Sequence, residues 1–232
     1  MLSIRWKPST KVHYKCDMCN IKAIIKRVIW YIISLPSRIS CPLKAVGNNC
    51  LIYGCSSNNK MGEVYLGNNV KLRNCRFYFE GCDPSKNSII IGSNCRVDGV
   101  EFICRYGGIN TIKIGANNTF GGNVQIEASE GTKVTTGEDC MFAHRIHITT
   151  TDHHSILNKE GKRVNNARDI SIGNHVWIGM GVTLLKNSRI PNGSIVGANS
   201  TYTSNNTNDN SIFAGLPARM IKSDISWCRK LI

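Results

Sequence analysis

Asp152, His153 and His154 stand side by side in the segment TTTDHHSI at 149–156. Imidazole is the side chain whose ordinary pKa lies near neutrality, so either histidine can take a proton from a weak nucleophile such as an alcohol. In an extended stretch, residues two apart share a side, and Asp152 could then orient or charge the ring of His154. His144, His147 and His175 flank the segment and raise a second chemistry, in which imidazoles hold a metal ion. The spacing such a site needs does not occur, so no metal is expected.

What must position these residues is a repeat. From Ile172 the chain reads IGNHVW, IGMGVT, LLKNSR, IPNGSI, VGANST, with an aliphatic residue returning every six positions at Ile172, Ile178, Leu184, Ile190 and Val196. Neither a helix of period 3.6 nor strand alternation of period 2 produces this spacing. A prism does: if each rung is one flat side, three rungs close a turn of about eighteen residues, and the aliphatic side chains fill one internal column. The residue four places on should also face inward and be small, as Val176, Val182, Ser188, Ser194 and Ser200 are. Upstream the same rule gives inward anchors at Val46 and Ile52; Leu66, Leu72 and Tyr78; Ile91, Val97 and Ile103; Ile114, Phe120 and Ile126; and Thr136, Phe142 and Ile148. Gly47, Gly67, Gly92, Gly115, Gly137, Gly173 and Gly197 follow the first anchors, at corners that want no β-carbon. Cys50, Cys95 and Cys140 fall on the small inward position, where a free thiol acts as a small hydrophobe.

The fold class expected is therefore all-β, a parallel β-helix spanning 41–217. Its longest excursion, 149–170, is polar and aperiodic, and long loops on rigid scaffolds are where function concentrates. Residues 1–40 read as an N-terminal helical cap, with Ile21, Ile24, Ile25, Val28, Ile32 and Leu35 at helical spacing, Asn20 as cap and Pro36 as stop. This stretch is too short and too charged to span a bilayer, but its basic amphipathic face at 20–35 suits peripheral contact with the inner membrane. Residues 218–232 read as a short C-terminal cap.

The formal charge of +14 favours polyanionic partners. The basic residues are scattered, without zinc-finger or RNA-binding signatures, which argues against nucleic acid. Eleven cysteines are an odd count, and no secretory signal opens the sequence, so a cytoplasmic, reducing location is expected. Cys16 and Cys19 form a single CxxC, to which no chemistry is assigned.

Four strings, TDHHSI at 151–156, GKRVNNARDISIGNHVWIG at 161–179, IPNGSIVGANS at 190–200 and AGLPARMIK at 214–222, resemble the hexapeptide-repeat acetyltransferases, especially the branch that O-acetylates capsule and lipopolysaccharide sugars. The resemblance implies a left-handed coil, a homotrimer with active sites between subunits, acetyl-CoA as co-substrate and a sugar or polysaccharide acceptor. Because CoA thiolate leaves readily, no covalent enzyme intermediate is demanded, and direct transfer is expected, with a backbone N–H holding the oxyanion. The family's catalytic histidine lies two places after the aspartate, which maps to His154. The loop before Trp177 is one residue shorter than the branch usually carries, and a shifted register would select His153. Trp177 matches the tryptophan at the acceptor and pantetheine end of the cleft. Pantetheine would pass Gly179, Gly197 and Ala198, and Arg219 and Lys222, with Lys186 in addition, would meet the CoA phosphates. A family lysine after the GANS string is Ser204 here. Two other readings compete: a metal-bearing β-helix like the γ-class carbonic anhydrases, and a catalytically silent β-helix serving as a scaffold.

Overall fold

The computed structural model describes residues 43–58, 62–81, 83 and 86–232. The expected N-terminal helix at 20–35, its membrane contact, and Cys16 and Cys19 lie outside the described residues. Short strands wind into a three-sided parallel β-solenoid with sheets of seven, nine and seven strands. The first sheet runs from Leu43–Val46 to Arg189–Ile190. The second runs from Leu51–Tyr53 to Ala218–Lys222, and the third from Ser56–Ser57 to Thr201–Tyr202. Each strand pairs with its equivalent one coil away, for example Phe120 with Phe142 and Phe142 with Ile178. The inward residues form one continuous apolar core, and each fully buried Ile, Leu or Phe contributes about 1.5–3 kcal/mol. Cys50, Cys95 and Cys140 are buried free thiols within it, and burial pushes both Cys95 and Cys140 up to about 11.

The period of six holds on the first two sides and slips on the third. Phe77 and Phe102 face inward, stacked with ring centroids 5.4 Å apart, and pair through the next coil with Ile126. The expected anchors Tyr78 and Ile103 are therefore off by one and belong to the outer face. From Leu72 to Phe77 and from Val97 to Phe102 the rung has five residues, whereas Phe120 to Ile126 has six. Val46, also an expected core anchor, is 40% exposed on the edge strand of the first sheet.

The corner between the first and second sheets combines two requirements. A β-carbon on Gly115 would lie 2.3 Å from the Gly137 carbonyl oxygen, so these glycines are needed because successive coils touch there. The positive φ falls two residues after these glycines, on Asn49, Asn69, Asn94, Asn117, Asp139 and His175, with φ between 52° and 61°. Asparagine tolerates this conformation, and its side chain ties neighbouring coils: Asn69 Nδ2 donates to Asn94 Oδ1 at 3.0 Å, and Asn94 Nδ2 to Asn117 Oδ1 at 3.1 Å.

After Ile212–Gly215 the chain turns back, and Ala218–Lys222 pairs with it antiparallel. The tail then descends the asparagine corner as a strap. Ile225 N donates to the Asn210 carbonyl, Trp227 Nε1 to the His175 carbonyl at 2.9 Å, and Arg229 reaches Asp139, Thr119 and the carbonyls of Cys140 and Asn117.

Candidate active site

The long loop leaves the third sheet at His147–Thr149 and rejoins the first at Ile170–Ile172. Within it Leu157 bridges Arg163 antiparallel, and Asn158 closes the turn by accepting from Glu160 N and Lys162 N. The loop is tied to the body at several points. Arg163 pairs with Glu130 at 2.5 Å, Thr151 Oγ1 donates to Glu130, and Asp169 accepts from Lys133 N at 2.8 Å.

Among the described residues Asp152 meets no imidazole. Its carboxylate pairs with Lys186 and accepts from Asn165 Nδ2 at 2.8 Å. Burial opposes ionisation, but the Lys186 ammonium and the Asn165 amide outweigh it and hold Asp152 below the ordinary carboxylate range. Lys186 also donates to the Asn165 carbonyl at 2.9 Å, so from the solenoid it ties down the histidine loop.

The two histidines differ in their surroundings. His154 is exposed; its N–H donates to the Asp152 carbonyl at 2.8 Å and its carbonyl accepts from Asn165 Nδ2 at 2.8 Å. Among the described residues its ring makes no hydrogen bond. His153, at φ 63°, points back toward the third sheet. Its Nδ1 lies 3.3 Å from Arg105 Nη2, and its Nε2 3.6 Å from Glu127 Oε2. Glu127 is only 1% exposed and also accepts from Arg105 Nε at 2.8 Å and Ser129 Oγ at 2.7 Å. His147 shares this face, and burial lowers its pKa. Sequence reasoning missed Glu127 and Arg105; the only trace was a carboxylate directly after the anchor Ile126.

The remaining predicted residues lie on the second sheet. Trp177, in Trp177–Ile178, is 37% exposed, and Arg219 and Lys222 stand exposed on the antiparallel strand. Ala198 is exposed, but the Gly179 and Gly197 amides already donate to the Val196 and Phe213 carbonyls. These glycines can therefore offer close approach but not those N–H groups. Trp227 of the strap lies 6.0 Å from Trp177 and stacks on His175 at 4.0 Å. His175 is further held by Asp139 at 2.7 Å, and His144 Nδ1 accepts from Gly122 N at 2.9 Å. His144, His147 and His175 therefore do not converge, and among the described residues no cluster of three or more potential ligands could hold a metal.

The predicted residues of one chain thus fall into two groups: those of the histidine loop beyond the third sheet, and an aromatic and cationic surface on the second. No family model matches the chain. It is similar to the polysialic acid O-acetyltransferase of Neisseria meningitidis, 34% identical over 190 residues that span 82% of this chain and 80% of that protein. The galactoside O-acetyltransferase of Escherichia coli strain K12 is 31% identical over 134 residues, 57% of this chain and 62% of that one. Among solved structures, the polySia-specific acetyltransferase NeuO superposes with a TM-score of 0.71 at 26% identity, covering 82% of this chain and 80% of its own. The polysialic acid O-acetyltransferase OatWY superposes with a TM-score of 0.58 at 32% identity, covering 83% and 92%.

Proposed function

The chain belongs to the hexapeptide-repeat acetyltransferases and is an acetyl-CoA-dependent O-acetyltransferase, and on that premise we propose that His154 activates a sugar hydroxyl of a cell-surface polysaccharide or its precursor. The carrying observation is the exposed imidazole of His154 on a loop whose neighbouring side chains are tied down. A free ring on a fixed backbone can accept a proton without first breaking an internal bond. His154 takes the hydroxyl proton, and the oxygen attacks the thioester carbonyl. The tetrahedral intermediate collapses with loss of CoA thiolate, which recovers the proton from the imidazolium. No acyl-enzyme is formed.

The second sheet supports acetyl-CoA binding: Trp177 offers an exposed ring, and Arg219 and Lys222 are exposed cations suited to phosphates. In this reading the coil is left-handed and the enzyme a homotrimer, with the histidine loop of one subunit facing Trp177 of the next. The two groups of residues on different faces support that arrangement. So does the loop hairpin, where Ile156, Leu157 and Val164 are 58%, 58% and 59% exposed, an apolar patch suited to a subunit contact.

The test is His154→Ala. Turnover should fall by about 10²–10⁴-fold, the usual contribution of a general base, with acetyl-CoA affinity by calorimetry near wild type. A variant that keeps most of its turnover removes His154 from this role.

A further inference from the structure

We propose that His153 is a positioning residue, the anchor that fixes the backbone from which His154 projects, and that the buried pair Glu127–Arg105 is its socket. This assignment rests on His154 as the base.

The hydrogen bonds around His153 decide its role. Arginine can only donate, so Arg105 Nη2, 3.3 Å away, makes Nδ1 the lone-pair nitrogen. The ring proton then sits on Nε2, which faces Glu127 Oε2 at 3.6 Å. Nδ1 is then taken up by Arg105 and Nε2 already carries the ring proton, so neither nitrogen is left to accept a proton from an acceptor hydroxyl. Tyr106 closes the remaining side, edge-on to the imidazole at 5.9 Å, with the Arg105 guanidinium 4.7 Å over its ring.

The socket is built into the column. Glu127 and Ile103 are register partners on the outer face of the third sheet, and Arg105 lies opposite Ser129 one strand away. A carboxylate 1% exposed needs several partners, and it has Arg105, Ser129 and His153. From this fixed point the chain takes a left-handed step at His153, supported by its N–H donating to Thr151 Oγ1 at 3.1 Å. That step turns the next side chain away from the sheet. The socket thereby sets the direction of His154 through one residue of backbone.

The experiment compares His153→Leu with His153→Gln, which share the same backbone cost at positive φ and differ in hydrogen bonding. Leucine can neither accept from Arg105 nor donate to Glu127, whereas the glutamine amide can do both. His153→Leu should lower kcat about 10–100-fold, the scale expected when a catalytic group is misplaced by about an ångström, with the KM for acetyl-CoA within about twofold of wild type. His153→Gln should recover to within about fivefold of wild type. Both variants should keep the rising limb of the kcat/KM pH profile at its wild-type midpoint, because the base is still present. Wild-type turnover in His153→Leu, with His154→Ala inactive, would overturn the anchor and leave the base assignment standing. Loss of the rising limb in His153→Gln, with His154→Ala active, would make His153 the base and overturn both. Should His153→Leu fail to fold, ¹⁵N spectra of the wild-type imidazole decide: Nε2–H with an unprotonated Nδ1 supports the anchor, and the opposite tautomer overturns it.

Discussion

Asp152 and Glu130 hold the histidine loop to the body through charge, and this gives the loop a pH limit. The Arg163 guanidinium, opposed by burial and helped by the Thr151 hydroxyl, holds Glu130 below its ordinary range, as Lys186 and Asn165 do for Asp152. A carboxyl whose folded pKa is depressed stabilises the fold fully above its unfolded value, and that stabilisation is lost as pH falls through the folded value. Amide protection factors across 150–169, corrected for the intrinsic exchange rate at each pH, should therefore be steady from neutrality down to about pH 5 and fall only below the ordinary carboxylate range near 4. Lys186→Met removes the cation that lowers Asp152, so protection of the loop at neutral pH should fall and its further loss in acid should shrink; unchanged protection at neutral pH would mean that this pair does not hold it. At this scale the sequence made the paired histidines legible and misassigned their carboxylate. Alternation along an extended chain placed Asp152 beside His154, but a left-handed residue intervenes and sends Asp152 to Lys186. Glu127 and Arg105 left no periodic trace, because their pairing depends on which strands stack.

At the scale of elements, an aliphatic residue every six positions was enough to find the coils. It failed between Leu72 and Phe77, where the rung is one residue short. That slip is silent in the sequence, since Phe77 and Tyr78 are both aromatic and Phe102 and Ile103 both apolar, so either register fills the core on paper. The corner glycines were found for want of a β-carbon, and the structure supplies the cause as coil-to-coil contact, with the left-handed step falling on asparagine. Two substitutions separate these causes. At Gly137 φ is not positive, but a β-carbon would lie 2.3 Å from Asn174 Oδ1 and 2.7 Å from Asn174 N. Gly161 has φ 73° and nothing within 4 Å of the β-carbon position. Gly137→Ala should cost about 2–4 kcal/mol in denaturant melts and Gly161→Ala about 1 kcal/mol. Equal costs would mean that crowding between coils is not what selects glycine at the corner.

For the whole molecule, the proposed trimer sets the histidine loop of one subunit against Trp177 of the next, so in that proposal one chain does not close the site alone. Co-expressing His154→Ala with Trp177→Ala in equal amounts should then restore about a quarter of wild-type activity, since random assembly leaves about one interface in four with both residues intact. Failure to complement, with both variants mixing in the same oligomer, would place the whole site within one subunit.

The strap also changes how the molecule comes apart. A stack of coils that touch only their neighbours can peel from its free end one layer at a time. Here Ile225, Trp227 and Arg229 hold layers from Asn210 down to Asn117, so the final turn cannot lift while these bonds persist. Detachment at that end becomes a single larger event, and the Trp177 surface stays assembled until the tail itself lets go.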